Sequence, residues 1–194
     1  AVKKPRLKNP KKQREIIERL INFFKENSLA TSNMDEIAEG INKSKATLYK
    51  YYSSKEKMVN DLISYKVAEI SKFALILNDG NIPFTKRYEK SFALLQEHIA
   101  DITIEFLEDL KTVFPTIYKY IEQLINTAVE LLTAYYEEGM NEGFFNKLNA
   151  RMLSLNDLIM FRQFSDPQFL KENNLTIQQA FQDYYKIRCE GLMR

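Results

Sequence analysis

The chain has one cysteine, one histidine and no tryptophan. A lone Cys189 excludes an internal disulfide and any cysteine-built metal site. A lone His98 excludes a histidine triad or a multi-histidine metal centre, and its neighbours Glu97 and Asp101 suit a solvated helix face better than acid–base chemistry. Glycine and proline are scarce, five of each in 194 residues, so long helices are favoured over turn-rich sheets. Apolar runs are short, as in FALIL at 73–77, and none is long enough to cross a membrane. No apolar segment follows the basic N-terminus, so a cytoplasmic chain is expected. There is no phosphate loop, dinucleotide fingerprint or nucleophile elbow. Catalytic residues, metal and cofactor are therefore expected to be absent.

What remains is a chain with 45% hydrophobic and 28% charged residues, enough to bury a core and too apolar to stay disordered. Its net charge of +2 conceals an uneven distribution. Residues 1–58 carry fourteen Lys or Arg against seven Asp or Glu, a balance of +7. Residues 59–194 carry fourteen against nineteen, a balance of −5. A basic head on an acidic body suits a nucleic-acid binder with a second domain, although a solvated surface reads the same way from charge alone. The expected division is a head at 1–58 and a body at 59–194.

The first fourteen residues, AVKKPRLKNPKKQR, hold seven bases and no acid. They suit a basic arm for phosphate contact or a minor groove, a frayed terminus being the alternative. Apolar residues at helical spacing then run from Ile16 to Phe24, with Asn27 placed to close the helix in a left-handed conformation. Asn33-Met-Asp-Glu36 is a capping box opening a second helix. Asn42 offers a left-handed turn residue, and Ser44 caps a third helix reaching about Tyr52. Ser53-Ser-Lys-Glu56 reads as another box, opening a long helix through Phe73. Two short helices joined by a turn of about four residues make a helix-turn-helix, whose second member enters the major groove. Beyond the break at 78–83, helices are expected at 84–100, 103–113, 115–141, 148–163 and 176–192.

The stretch SKATLYKYYSSKEK at 44–57 crowds three tyrosines and four lysines around one large aliphatic residue, Leu48. Ser, Thr, Tyr and Lys all donate to phosphate oxygens, and a surface lying on DNA uses that mixture. Lys45, Ala46, Thr47, Tyr49 and Lys50 occupy the first turns of the third helix, which face base edges in such a motif. Lysine donates to guanine, and the Ala46 or Thr47 methyl suits a thymine methyl. Tyr51 can donate to phosphate, and Ser32, Asn33, Ser44 and Lys55 sit at helix starts that favour anions. Leu48 and Tyr52 read as core.

Together Ile37-Ala38, Asn42-Lys-Ser-Lys-Ala-Thr-Leu-Tyr-Lys-Tyr-Tyr52 and Ser54-Lys-Glu56 resemble the DNA-binding domain of the TetR family of bacterial transcriptional regulators. The resemblance is close over residues 12–65 and only general beyond. Asn42 replaces the family's usual Gly, Lys43 its usual Val, and Ala46 a Gly or other small residue. The loss of Val removes an apolar plug from the turn, and the Lys43 stem can cover the helices while its amine reaches solvent or phosphate. The resemblance implies an all-α protein: a three-helix DNA-binding head and a helical body for ligand binding and dimerisation. It implies a repressor acting as a homodimer on a palindromic operator, with base reading by the third helix and backbone clamping by Tyr51, Lys55, Ser32 and Asn33.

Independently of the family, one short recognition helix contacts few base pairs, and two half-sites restore affinity. The last two helices are the expected interface, through Leu155, Ile159, Phe181, Tyr184 and Tyr185, an intramolecular core being the rival reading. An effector pocket would draw on Phe92, Leu95, Phe106, Leu110, Tyr118 and Tyr135, which suit an apolar or amphipathic molecule. Plain core packing is the alternative for each. Such a ligand would act by changing how the fourth helix holds the head. The rivals to this reading are a helical enzyme, for which no catalytic constellation exists, and an adaptor that binds DNA without sequence preference.

Overall fold

The computed structural model describes residues 9–192, with side chains as far as Cys189. It contains α1 (Pro10–Phe23), α2 (Met34–Gly40), α3 (Lys45–Tyr51), α4 (Lys55–Ile70), α5 (Lys72–Leu77), α6 (Phe84–Ile99), α7 (Ile104–Val113), α8 (Pro115–Asn141), α9 (Ala150–Phe164), α10 (Pro167–Glu172) and α11 (Ile177–Leu192). No β-strand occurs among the described residues. The chain separates into two compact units, one reaching Tyr65 and one beginning at Lys66.

In the first unit, the Asn9 side chain accepts from the backbone N–H groups of Lys11 and Lys12 at 3.0 and 3.3 Å. Pro10 takes the first helical position, where its missing N–H costs nothing. The arm expected through residue 14 is therefore helical from Pro10, and its residues 1–8 lie outside the described residues. One stripe of α1 (Ile16, Ile17 and Leu20) is buried, as are Ile37 and Ala38 of α2, Leu48 of α3 and Met58, Val59 and Leu62 of α4. A Cβ on Gly40 would come within 2.2 Å of the Phe23 ring, so glycine permits this approach of α2 to the end of α1.

Two boundary readings need correction. Asn27 is not left-handed; positive φ among described non-glycine residues occurs at Asn42 and Asn174. Its side-chain amide instead donates to the Phe23 carbonyl at 2.8 Å, satisfying the helix end without a strained backbone. The start of α4 is capped by Ser54 rather than Ser53: the Ser54 hydroxyl accepts from Lys57 N–H at 3.2 Å. That register places Glu56 one position too early to complete a box.

The second unit matches the expected helices with two differences. The long fourth helix breaks at Ser71, so Phe73 belongs to α5. The short α10 follows Pro167 where only a break was expected, capped by Asp166, whose carboxylate accepts from Gln168 N–H at 3.0 Å. Asn174, at φ 51, closes that helix, with Leu175 N–H returning to the Leu170 carbonyl at 3.0 Å.

Its interior is strongly aromatic. Phe84, Tyr88 and Phe92 recur every fourth residue on α6 and alternate with rings from elsewhere in the unit. Near-parallel stacking runs Phe144–Phe84–Tyr135–Tyr88–Tyr185–Phe92, with centroid spacings of 4.8, 4.7, 6.0, 5.6 and 4.3 Å. Gly139 makes room for this stack, because a Cβ there would lie 2.3 Å from Phe145 and 2.6 Å from Phe84. Beside it, the fully buried Asp157 accepts from the hydroxyls of Tyr136 at 2.5 Å and Tyr184 at 2.7 Å and pairs with Arg188 at 2.8 Å. Asp101 is not on a solvated face: the buried Lys66 amine is held by its carboxylate and by the His98 carbonyl.

Candidate nucleic-acid interface

The helix-turn-helix is assembled by backbone chemistry before any side chain reads DNA. Asn33 Oδ1 accepts from Asp35 and Glu36 N–H at 2.9 and 3.0 Å, and Glu36 returns to Asn33 N–H at 2.9 Å, completing the box that starts α2. At the other end Asn42 adopts φ 54. Its N–H reaches the Glu39 carbonyl at 2.9 Å, and Lys43 N–H reaches the Ala38 carbonyl at 2.9 Å. These two bonds form a Schellman closure with asparagine as the left-handed residue. Ser44 then caps α3, its hydroxyl accepting from Thr47 N–H at 3.1 Å. The turn between the helices is thus four residues long.

The polar Lys43 is accommodated by a partner on α1. Its side chain stays 25% exposed, and its amine donates to Glu15 at 2.9 Å. That hydrogen bond holds the Glu15 carboxyl below its ordinary pKa, with Arg19 adding a smaller contribution. Arg19 also donates to the Ile41 carbonyl at 3.1 Å. An ionic latch therefore spans the turn where the family's usual valine would plug it.

On α3, Leu48 is fully buried, and Ser44, Lys45, Ala46, Tyr49 and Lys50 are exposed, with Thr47 half-buried. Lys45, Ala46, Tyr49 and Lys50 share the outward side of the helix, with Thr47 at its margin and Ser44 as the N-cap. Tyr49 is 49% exposed, whereas Tyr51 is 5% exposed. Tyr51 sits three residues after Leu48 and so shares its inward face, which removes it from the exposed phosphate donors expected there. Ser32 is also turned inward: its hydroxyl donates to the Ser28 carbonyl at 2.7 Å, closing the loop before α2. The Lys55 amine donates to the Ala30 carbonyl at 3.0 Å and anchors that same loop, while Asn33 stays exposed at the start of α2.

Two features were not anticipated from sequence. Lys45 is paired with Asp35 at 2.5 Å, and this hydrogen bond raises the Lys45 pKa. Ten residues separate the two, and only the fold of the turn brings them together. Beside the end of α3 a cleft of about 370 Å³ is lined by Tyr49, Lys50, Tyr51, Tyr52 and Ser53, by Lys57, Asn60 and Asp61 of α4, and by Gln13 of α1.

The body residues distribute differently from expectation. Phe92, Leu95, Phe106, Leu110, Tyr118 and Tyr135 are all buried, but Phe92 and Tyr135 belong to separate clusters joined by the ring stack. Tyr118 donates to the Ser165 carbonyl at 3.1 Å, and burial pushes its phenol up to about 12. Of the expected interface, Phe181 and Tyr184 are buried within the unit's own core, and Tyr185 stacks on Phe92 and Tyr88. These three are internal packing residues, because they face α6 and α9 rather than solvent. Leu155 is half-buried, and Ile159 is 55% exposed.

Among the described residues there is no cluster of potential metal ligands and no helix long and apolar enough to cross a membrane. Residues 16–62 match the sequence profile described as Bacterial regulatory proteins, tetR family. The nucleoid occlusion factor SlmA of Haemophilus ducreyi is 27% identical over 155 residues, covering 77% of this chain and 73% of the relative. Among solved structures, a transcriptional regulator from Cytophaga hutchinsonii shares the fold with a TM-score of 0.63 and 21% identity, over 92% of this chain and 93% of that one. The ketosteroid transcriptional regulator KstR2 of Mycobacterium tuberculosis does so with a TM-score of 0.62 and 20% identity, over 96% and 97%. The α2-turn-α3 head, within the matched residues 16–62, is therefore a DNA-binding domain of the tetR type, and the chain as a whole shares the fold of solved transcriptional regulators.

Proposed function

We propose that this regulator is a repressor that binds a palindromic operator as a homodimer and releases it in response to a small apolar or amphipathic effector. The observation that carries base reading is the outward side of α3, where Lys45, Ala46, Thr47, Tyr49 and Lys50 stand together on a helix fixed by caps at both of its neighbouring turns. Ser44 and Asn33 supply backbone-facing donors at the two helix starts. The division of labour follows the charge, with the head at 1–58 meeting DNA and the body at 59–194 serving effector and partner.

A dimer is supported by the exposed Met152 and Ile159 on α9 with half-buried Leu155 between them, a stripe at helical spacing. The aromatic interior of the body, including Phe92, Leu95, Phe106, Leu110, Tyr118 and Tyr135, supports an apolar or amphipathic effector.

The test is selection of random duplex DNA by the purified protein at about physiological salt, where non-specific phosphate binding is weak. A palindromic consensus is expected. Binding without sequence preference would support the adaptor reading instead. The likeness to SlmA favours one further reading, a role in nucleoid occlusion.

A further inference from the structure

Asp61 stands where three helices of the head converge. Its Oδ2 accepts the Tyr52 hydroxyl at 2.7 Å and the Gln13 side-chain amide at 2.7 Å. Tyr52 is the residue that ends α3, its N–H bonded to the Leu48 carbonyl at 2.8 Å. Gln13 lies in the first turns of α1, and Asp61 in the second turn of α4. One carboxylate oxygen thus ties the end of the reading helix to both helices that support it.

The neighbouring space explains what the Tyr52 hydroxyl does. The rings of Tyr51 and Tyr52 are buried, at 5% and 2% exposure, but a cleft of about 370 Å³ opens beside them, Asp61 and Gln13, so packing on this side of the end of α3 is incomplete. Burial of Leu48 sets how deep α3 lies, but apolar contact is non-directional and does not prevent a small rotation or slide of the helix. A seven-residue helix has little stability of its own to resist such movement. A hydrogen bond to a carboxylate oxygen is directional, which supplies the missing constraint.

We infer that Asp61 is a positioning residue for DNA reading. Through Tyr52 and Gln13 it holds α3 in the register that presents Lys45, Ala46 and Tyr49 to base edges. The inference rests on the base-reading role proposed for α3.

The experiment compares full-length wild-type, Tyr52→Phe and Gln13→Leu on two duplexes, the operator obtained by selection and a scrambled version of it. Thermal unfolding is followed in parallel. The ratio of the two affinities is decisive, because a purely structural loss lowers both together with the folded fraction. Tyr52→Phe is expected to lose about tenfold in operator affinity, the equivalent of one modest hydrogen bond, with scrambled-duplex affinity unchanged. Gln13→Leu, which leaves Tyr52 and the buried core in place, is expected to show a smaller loss of the same kind and decides the matter if Tyr52→Phe does not fold. Unchanged ratios, or operator and scrambled affinities falling in step, would overturn the positioning role while leaving base reading intact. A wild-type protein that selects no sequence would instead remove base reading itself, and the inference with it.

Discussion

At the residue scale, Lys45 is the side chain whose setting says most about reading. Free lysine on a DNA-facing helix binds phosphate anywhere, but here its amine is paired with Asp35. Both groups are well exposed, so the pair contributes little to stability. If α3 meets DNA as proposed, the amine needs a replacement acceptor, and guanine O6 and N7 would provide one. Lys45→Ala is expected to cost about 1–3 kcal/mol on the preferred operator and to relax sequence preference at the contacted position, whereas Lys50→Ala should weaken all sequences alike if it meets phosphate. Asp35→Asn should raise affinity for scrambled DNA and narrow the gap between specific and non-specific binding. Binding titrations on both duplexes over a range of salt distinguish these outcomes.

At the element scale, the turn between α2 and α3 is held by the Asn42 closure, the Ser44 cap and the Glu15–Lys43 latch. Ser44→Ala removes the acceptor for Thr47 N–H and should lower head stability by about 1 kcal/mol in denaturant unfolding. The latch has a pH signature. Lys43 holds the Glu15 pKa below its ordinary value, so the stabilisation is complete above the ordinary carboxylate range and is lost as pH falls through the lowered value. The difference in urea midpoint between wild-type and Glu15→Gln should therefore be present at neutral pH and vanish on acidification. In the body, Gly139→Ala pushes a methyl into the buried Phe84 and Phe145 rings, neither of which can swing into solvent. A loss of about 1–3 kcal/mol is expected from overpacking, read as a lowered thermal midpoint.

At the scale of the whole molecule, the body is built around polar groups as well as rings. Asp157 is fully buried, and burial raises its pKa against the opposing pull of Arg188 and the Tyr136 and Tyr184 hydroxyls. Asp157→Ala would leave Arg188 buried without its counter-ion, and a cost of about 3–5 kcal/mol is expected. Burial also raises the phenols of Tyr88, Tyr136 and Tyr184 well above the ordinary range. For a raised pKa the folded state keeps the proton, so the stabilisation is full below the ordinary tyrosine range and is lost as pH rises beyond it. Alkaline titration should show the share of tyrosinate absorbance that belongs to these buried phenols appearing only together with loss of helix signal.

The helix class, the helix-turn-helix, its Asn33 and Ser44 caps and the left-handed Asn42 were all legible in the sequence, because each depends on residues within four or five places of one another. Helical periodicity likewise located the long helices of the body. Two local relationships were read differently: Tyr51, three places after Leu48, turns inward with it, and Ser32 closes its own loop onto Ser28. What local pattern did not show were relationships across distance: that Lys43 finds Glu15 and that Lys45 finds Asp35. The same holds for Phe181, Tyr184 and Tyr185, whose apolar and aromatic character is equally suited to a partner's surface or to the chain's own core. Periodicity names the sticky face of a helix, whereas only the packed structure decides what covers it, since burial is non-directional and any complementary face satisfies it.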